Sequence, residues 1–188
     1  MEEKKLQMNL TNYIKQYDDI ISQDLCDKLI NNQHIKQNLY RAMIRDGQVD
    51  EHRNCYNYLI TQAELPELDN ELHAAVGKLL QKYTDDVQTF QTGLTTEDTG
   101  YIFLHYLGSE KGEYREHSDH SDFNPRVLSM SIILNDDYDG GDFCFFNKQH
   151  VIKKKKRSAV VFPSNFCFPH SISPVSNGDR CAIVTWIK

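Results

Sequence analysis

The pattern of apolar and polar residues predicts helices in the first half of the chain. Within residues 65–87, apolar residues recur at helical spacing and would bury one face of a long helix: Leu68, Leu72, Val76, Leu79 and Leu80. The sequence SQDLCDKLINNQ predicts a shorter helix with Ser22 as its N-cap. Residues 12–21 and 53–60 contain many strand-forming residues and predict two strands.

From residue 88 onwards, the pattern changes to short apolar or aromatic runs separated by Gly, Pro, Asn and Asp. The runs are GYIFLHYL, GEYREHSD, RVLSMSIILN, GDFCFFN, SAVVFP, FCFPHSI and CAIVTWI. Their spacing is typical of an all-β sandwich or barrel. Residues 135–142, NDDYDGGD, predict a hairpin turn because Gly140 and Gly141 permit the backbone that such a turn needs. The predicted fold class is α+β, mainly β, with a C-terminal β core braced by N-terminal helices.

Length and cysteine content limit the class of protein. A chain of 188 residues can bury a substantial core as one domain. Its five cysteines are scattered without a CxxC pair, which predicts neither a disulfide framework nor a zinc site and favours a reducing compartment. The first ten residues contain no apolar run of the signal-peptide kind, and no apolar run approaches the roughly 18 residues of a membrane span. We therefore expect a cytoplasmic protein with no membrane association.

The charge of the chain argues against general affinity for nucleic acids. The formal net charge is -6, and a protein that binds the phosphate backbone usually carries a basic face. One basic run exists at residues 153–157, KKKKR. We interpret it as the solvated edge of a hairpin, where lysines discourage pairing between molecules. The alternative is an electrostatic contact with an acidic protein or with nucleic acid.

A repeated tripeptide and a distant histidine form a candidate metal site. Residues 112–126 contain His117-Ser118-Asp119 and then His120-Ser121-Asp122. A His and an Asp two residues apart on a strand point to the same face, so either pair could offer an imidazole and a carboxylate to one metal ion. Far downstream, His170 supplies a second imidazole. Two histidines and one carboxylate on one side of Fe(II) leave coordination positions open for other molecules.

A single arginine near the C-terminus suggests an anion site. Arg180 begins an apolar strand pattern, and its alternate residues Ala182, Val184 and Trp186 would share its face. Burying this guanidinium among apolar side chains is costly unless an anion meets it. A dicarboxylate co-substrate would supply that anion, because the guanidinium fork binds a carboxylate through two hydrogen bonds.

These motifs resemble the Fe(II)- and 2-oxoglutarate-dependent dioxygenases of the prolyl 4-hydroxylase type, in particular their small bacterial and viral members. The resemblance covers residues 100–188 closely, and the first half more loosely through YDDIISQDLCDKLI. It is carried by YLGSEKGEYREHSD, by RVLSMSIILNDDYDGGDFCFF and by FPSNFCFPHSISPVSNGDRCAIVTWI. The set of His-x-Asp, a distal His, PVxxGxR and a Trp six residues after that Arg is specific as a whole.

The resemblance selects the first of the two tripeptides. In the family, an aromatic residue lies three positions before the first metal His, as Tyr114 does before His117. An Arg stands seven positions after the metal Asp, as Arg126 does after Asp119. The resemblance therefore implies that His117, Asp119 and His170 bind Fe(II), and that the second tripeptide lies in a loop beside the site.

The resemblance also assigns co-substrate and substrate contacts. It implies that Arg180 pairs with the distal carboxylate of 2-oxoglutarate and that Tyr106 contacts the same co-substrate. Arg126 and Tyr114 are then residues near the substrate. The sequence departs from some relatives at Ile133, where they place a Tyr that helps to hold the distal carboxylate.

The function implied by the resemblance is hydroxylation of a C–H bond in a protein or peptide side chain, as in prolyl hydroxylases. 2-Oxoglutarate and O2 are the co-substrates, 2-oxoglutarate is decarboxylated to succinate and CO2, and L-ascorbate is a further candidate factor. The implied fold is a double-stranded β-helix, or jelly roll, within a single domain over residues 1–188. Residues 1–99 would support residues 100–188, which hold the metal and the co-substrate.

Two other functions stay open from the sequence. The same iron chemistry serves oxidative demethylation of nucleic acid. That family usually carries a second Arg six residues after the first, where this chain has Trp186. A jelly-roll binding module that has lost the chemistry is the non-enzymatic alternative, and it is hard to reconcile with three metal-ligand residues and Arg180 together.

Overall fold

The helices lie in the first half of the chain, as predicted. The computed structural model describes residues 9–44, 47–88, 97–123 and 125–188. Its helices are α1 (Gln23–Asn31), α2 (Gln33–Gln37) and α3 (Pro66–Asp86). The Ser22 hydroxyl accepts a hydrogen bond of 3.0 Å from the Leu25 amide, which confirms the predicted N-cap. Proline suits the first turn of α3, since its missing N–H would have no partner inside the helix.

The strands are short and follow the predicted runs. Those before α3 are β1 (Lys15–Tyr17), β2 (Tyr40–Arg41), β3 (Arg53–Asn54) and β4 (Tyr56–Ile60). Those from α3 to the middle of the β core are β5 (Tyr101–Leu107), β6 (Glu113–His117), β7 (Leu128–Ile133) and β8 (Asp139–Gly140). The remaining strands are β9 (Phe143–Phe145), β10 (His150–Val151), β11 (Ala159–Pro163), β12 (His170–Ile172), β13 (Val175–Asn177) and β14 (Asp179–Ile187).

Two antiparallel sheets build the β core. The larger sheet has the order β1-β11-β7-β14-β5-β4-β2, and the smaller one has the order β10-β9-β12-β6-β3. A short pair, β13 and β8, lies beside them. Apolar side chains from both sheets, such as Phe162 of β11 and Phe145 of β9, pack in one buried cluster. This two-layered jelly roll confirms the predicted fold class.

The helices cover the outer face of the larger sheet. Along β14, Cys181, Ile183 and Ile187 belong to the buried cluster that also contains α1 and α3. Arg180 and Trp186 line a cavity on the opposite face, so the predicted alternation is confirmed. None of the described helices is long and apolar enough to cross a bilayer. Residues 1–8, where the sequence lacks a run of the signal-peptide kind, lie outside the described residues.

Replacing Leu72 of α3 with alanine is expected to lower the free energy of unfolding by about 2–5 kcal/mol. Leu72 is fully buried between α3 and the larger sheet, so the change would leave a cavity that its neighbours fill only in part. Urea denaturation of both proteins measures the difference. Lys78→Ala, an exposed change on the same helix, is the control, and an equal loss in both variants would contradict the packing described here.

The structure corrects the prediction of one strand over residues 53–60. β3 pairs with β6 in the smaller sheet, whereas β4 pairs with β5 in the larger one. The chain therefore passes from one sheet to the other at Cys55, whose side chain is buried in the cluster between the sheets. The strand-forming composition on which the prediction rested contains no sign of the crossing.

The predicted hairpin at residues 135–142 is also wrong. This segment leads from β7 in the larger sheet to β9 in the smaller sheet, and its strand β8 pairs with the distant β13. Gly140 and Gly141 both have positive φ, as the turn prediction required. The prediction that these glycines adopt a turn conformation was therefore correct, but the turn belongs to a crossover between the two sheets and not to a hairpin.

The basic run at residues 153–157 is not a hairpin either, because it connects β10 in the smaller sheet to β11 in the larger one. Its charges are paired within the chain. Lys155 pairs with Asp18, Arg157 with Asp19, and the Lys156 ammonium lies 3.5 Å from Asp27. These ion pairs are partly exposed, so each contributes little to stability, but they leave less positive charge for a partner.

Candidate active site

Three candidate ligands meet between the sheets. His117 is the last residue of β6 and His170 the first of β12, and the two are direct partners in this antiparallel pair. Asp119 lies beyond the end of β6, so the prediction that His117 and Asp119 share one strand is wrong. The Asp119 carboxylate is nevertheless 3.4 Å from His170 Nε2 and 3.7 Å from His117 Nε2. One ligand atom from each residue lies within 4.8 Å of the others, close enough to hold one ion.

The backbone orients both imidazoles for metal binding. His117 Nδ1 lies 2.9 Å from the carbonyl oxygen of Arg115, and His170 Nδ1 lies 3.1 Å from that of Phe168. A carbonyl oxygen only accepts, so each Nδ1 donates a proton. In the neutral form of each ring, Nε2 then has the free lone pair that a metal requires, and both Nε2 atoms face Asp119.

The carboxylate of Asp119 is held in its ionised form. The hydroxyl of Ser129 donates a hydrogen bond of 2.6 Å to Oδ2, and Ser129 also contacts Ser164 at 2.8 Å. Burial would raise the pKa of Asp119, but the neighbouring imidazoles of His170 and His117 and the Ser129 hydrogen bond hold that pKa below its usual range. An ionised carboxylate is the form that binds a metal ion.

His117 is kept neutral by its surroundings. Its ring stacks on Tyr114 with a centroid distance of 3.5 Å and an interplanar angle of 16°. Burial, together with the neighbouring imidazole of His170, lowers the pKa of His117 below its usual value. Two imidazoles and an ionised carboxylate form a donor set that suits Fe(II) and that fixes one side of its coordination sphere.

Replacing Ser129 with alanine is expected to weaken Fe(II) affinity about 10-fold, at the lower end of the range for a residue that supports a metal ligand. The change removes the hydrogen bond that orients the Asp119 carboxylate. Anaerobic Fe(II) titration measures the affinity. Ser131→Ala, on the same face of β7, is the matched control, and equal affinities in Ser129→Ala and Ser131→Ala would contradict this role.

A cavity extends from the three ligands to Arg180. Its walls are mainly apolar and include Leu104, Phe143, Phe162, Ile172 and Val184. Arg180 is 2% exposed, and its Nε and Nη1 atoms have no hydrogen-bond partner. A buried guanidinium with unpaired donors is costly, so this end of the cavity fits an anion.

The other predicted site residues lie around the same cavity. Tyr106 pairs with Arg180 across β5 and β14, and its ring centroid is 5.1 Å from the guanidinium carbon. Burial raises the pKa of Tyr106, so its phenol stays neutral and can donate. At the other end, the guanidinium of Arg126 lies 3.5 Å from the ring centroid of Trp186 and its Nη1 lies 3.9 Å from Asp119 Oδ1. Ile133 is buried and offers no polar group.

The second tripeptide lies outside the group of candidate ligands. His120 and Asp122 are exposed, and the His120 ring contacts the carbonyl oxygen of Arg126 at 2.9 Å. The His120 amide donates to Ser164, the residue that contacts Ser129. This loop therefore supports the site from outside, as expected for residues beside its mouth.

Three residues of the site had no role assigned to them from the sequence. Arg53 lines the cavity with its guanidinium carbon 5.0 Å from the Tyr114 ring centroid, and no local motif marks it. Ser129 is a polar residue at alternate spacing within an apolar strand, and this spacing could have indicated that it faces the site. Trp186 also lines the cavity, on the face of β14 where the alternation had placed it with Arg180.

A comparison with protein families identifies the β core. Residues 101–188 match the family model described as the 2OG-Fe(II) oxygenase superfamily. Residues 101–188 are thus similar to the 2OG-Fe(II) oxygenase superfamily. Members of this superfamily use Fe(II), 2-oxoglutarate and O2, and the donor set and the buried Arg180 of this chain fit the first two.

The known proteins that are similar to this chain include hydroxylases. A PKHD-type hydroxylase from Psychrobacter sp. (strain PRwf-1) is 33% identical over 76 residues, which are 38% of this chain and 29% of that protein. The chain thus spans less than a third of this curated relative. Among solved structures, a prolyl-4-hydroxylase from Pseudomonas putida has a TM-score of 0.75 at 22% identity and covers 94% of this chain and 92% of its own.

A second structural neighbour is a prolyl hydroxylase from Trichoplax adhaerens in complex with a peptide fragment of the oxygen degradation domain of hypoxia inducible factor. Its TM-score is 0.75 at 16% identity, with coverage of 94% of this chain and 84% of its own. At these identities, both structures support the jelly-roll fold.

Proposed function

We propose that this protein is an Fe(II)- and 2-oxoglutarate-dependent hydroxylase that acts on a protein or peptide side chain, with proline as the first residue to test. The observation that carries the proposal is the continuity of one cavity from three candidate ligands, His117, Asp119 and His170, to the guanidinium of Arg180, whose Nε and Nη1 have no hydrogen-bond partner. The prolyl hydroxylases among the relatives and neighbours support the substrate class. We also propose that residues 1–188 act as a single domain and that the protein is cytoplasmic.

Each residue of the proposed site has a defined task. His117, Asp119 and His170 would hold Fe(II) on one side and leave the cavity side open. Arg180 would bind the distal carboxylate of 2-oxoglutarate, with the neutral phenol of Tyr106 beside it. When bound, Fe(II) and 2-oxoglutarate supply the activation of O2 that hydroxylation requires.

The protein would contribute orientation and exclusion of water. The apolar walls limit access of water to the space between the candidate ligands and Arg180. Arg126 and Tyr114 would contact the substrate at the mouth, where Trp186 holds the Arg126 guanidinium by stacking. A peptide backbone offers carbonyl oxygens to such a guanidinium, and a proline ring offers an apolar face to the aromatic rings.

The test is an assay of turnover on defined substrates. Purified protein is incubated with Fe(II), 2-oxoglutarate, O2 and proline-containing peptides, with and without L-ascorbate. The expected result is succinate formation coupled to a peptide mass gain of one oxygen atom. Turnover on methylated oligonucleotides instead would establish the demethylase alternative. If the protein binds neither Fe(II) nor 2-oxoglutarate, the result would support the alternative of an inactive binding module.

The contacts of one basic segment argue against a nucleic-acid partner and so support the peptide substrate. The basic run at residues 153–157 was the feature that supported a nucleic-acid partner. Three of its charges are paired with Asp18, Asp19 and Asp27 of the same chain. Lys154, from the same run, donates hydrogen bonds to backbone carbonyl oxygens.

A further inference from the structure

One charged residue of the cavity has no task in the proposed function. Arg53 lines the cavity from β3, and its guanidinium carbon lies 5.0 Å from the ring centroid of Tyr114, which in turn stacks on His117. Its Nη1 donates a hydrogen bond of 3.0 Å to the carbonyl oxygen of Met43. Its Nε is buried without a hydrogen-bond partner, and no carboxylate of the described residues forms an ion pair with Arg53. Such a guanidinium is costly unless an anion meets it.

Arg53 lies towards the opening of the cavity. Arg53 and Tyr114 are partly exposed, whereas Arg180 is almost fully buried. Met43, whose carbonyl oxygen accepts from Arg53, is an exposed residue. Because the Tyr114 ring lies between Arg53 and the metal ligand His117, a group bound to Arg53 would lie close to the metal. This is where a substrate would enter, and it is distant from the part of the cavity that Arg180 serves.

The charges around the cavity do not balance. The guanidiniums of Arg53 and Arg180 line it and that of Arg126 lies beside it, whereas Asp119 is the one carboxylate among its described lining residues. Fe(II) and 2-oxoglutarate carry opposite charges of equal size, so binding both adds no net charge. The loaded site therefore keeps an excess of positive charge in a mainly apolar space, where attraction for an anion is strong. A negative group on the substrate would remove this excess.

We propose that Arg53 determines specificity by binding a carboxylate of the peptide substrate close to the residue that is hydroxylated. This carboxylate belongs to an Asp or Glu side chain or to a peptide C-terminus, and the guanidinium fork can bind either through two hydrogen bonds. The inference rests on the proposed function, because it requires a peptide to enter this cavity. The chain has a net charge of -6, so its overall charge would not attract an acidic peptide, and the preference must come from the local contact.

The experiment compares matched peptides that differ by one charge. Short acetylated and amidated peptides with a central proline carry either Asp or Asn at each flanking position in turn, and a further set has a free C-terminus. Fluorescence anisotropy of labelled peptides gives dissociation constants for anaerobic protein loaded with Mn(II) and 2-oxoglutarate. The wild-type protein is expected to bind the best Asp peptide about tenfold more tightly than its Asn counterpart, because one hydrogen bond to a charged group is gained. A preference for the free over the amidated C-terminus would instead identify a terminal carboxylate.

Variants of two arginines separate a local contact from the effect of overall charge. Arg53→Gln should remove the preference for the carboxylate. Arg53→Lys keeps the charge but not the fork, so it should retain part of the preference, and it serves if Arg53→Gln does not fold. Arg115→Gln removes one positive charge from an exposed position on β6 and should leave the preference unchanged. An equal reduction in Arg53→Gln and Arg115→Gln would overturn the inference.

Co-substrate affinity and turnover distinguish failure of this inference from failure of the proposed function. Arg53→Gln should leave the affinity for 2-oxoglutarate unchanged, and a loss of that affinity with the carboxylate preference intact would assign Arg53 to the co-substrate and overturn the inference. If the wild-type protein hydroxylates a peptide but binds Asp and Asn peptides equally, the inference is wrong and the proposed function stands. If no peptide binds and none is hydroxylated, the proposed peptide hydroxylase is wrong and the inference fails with it.

Discussion

Replacing Asp119 with alanine is expected to weaken Fe(II) binding by more than about 100-fold, the upper end of the effect seen for residues that only support a ligand. The change removes the one carboxylate that, among the described residues, groups with both His117 and His170, and two imidazoles alone bind a divalent ion weakly. It also leaves the Ser129 hydroxyl without the carboxylate to which it donates. Anaerobic Fe(II) titration, followed by metal analysis after gel filtration, measures the loss.

Asp122→Ala is the control for this prediction. Asp122 occupies the same place in the second tripeptide, but it is exposed and lies outside the group of candidate ligands. Its replacement should leave Fe(II) affinity unchanged. The reverse result, with iron lost in Asp122→Ala and retained in Asp119→Ala, would assign the metal to the second tripeptide.

Arg180→Met is expected to weaken 2-oxoglutarate binding by about 2–5 kcal/mol, or roughly 30-fold or more, because it removes one member of a buried charge pair. The same change should not destabilise the protein without ligand, since it removes a buried guanidinium whose Nε and Nη1 have no partner. The two effects have different consequences for thermal unfolding. At 2-oxoglutarate concentrations near 100 times its dissociation constant, the wild-type protein gains about 2.7 kcal/mol, and this gain should fall to about 0.9 kcal/mol or less in the variant.

Thermal unfolding with and without 2-oxoglutarate provides this measurement, and Arg115→Met is a suitable control because Arg115 is an exposed arginine paired with surface carboxylates. A variant that lost stability without ligand, yet kept its full response to 2-oxoglutarate, would contradict the proposed role of Arg180.

Sequence patterns correctly predicted the features that depend on one regular spacing of residues along the chain. The helical period gave α3 to within one residue at each end, and the alternation of β14 correctly put Arg180 and Trp186 on one face. The spacing of motifs around His117 selected the tripeptide that the structure brings together with His170. These inferences need only local geometry and the rule that neighbouring strand positions face opposite sides.

The errors arise where the outcome depends on distant partners. Nothing in KKKKR specifies that Asp18, Asp19 and Asp27 lie opposite it, more than 100 residues away. Likewise, the passage of the chain between sheets at Cys55 depends on which strands β3 and β4 meet. Arg53 enters the site through that crossing, so a reading of its own neighbours in sequence could not have found it.

The direct pairing of His117 with His170 gives the metal a mechanical role in addition to a chemical one. The two histidines bracket about fifty residues that include β7 to β11, and a bound ion would close this segment into a loop. A cross-link of this kind lowers the conformational entropy of the unfolded chain, and an ion that binds the folded form stabilises that form. Iron loading would thus stabilise the pairing of β12 with β6 in the interior of the smaller sheet, and loss of iron would remove this constraint.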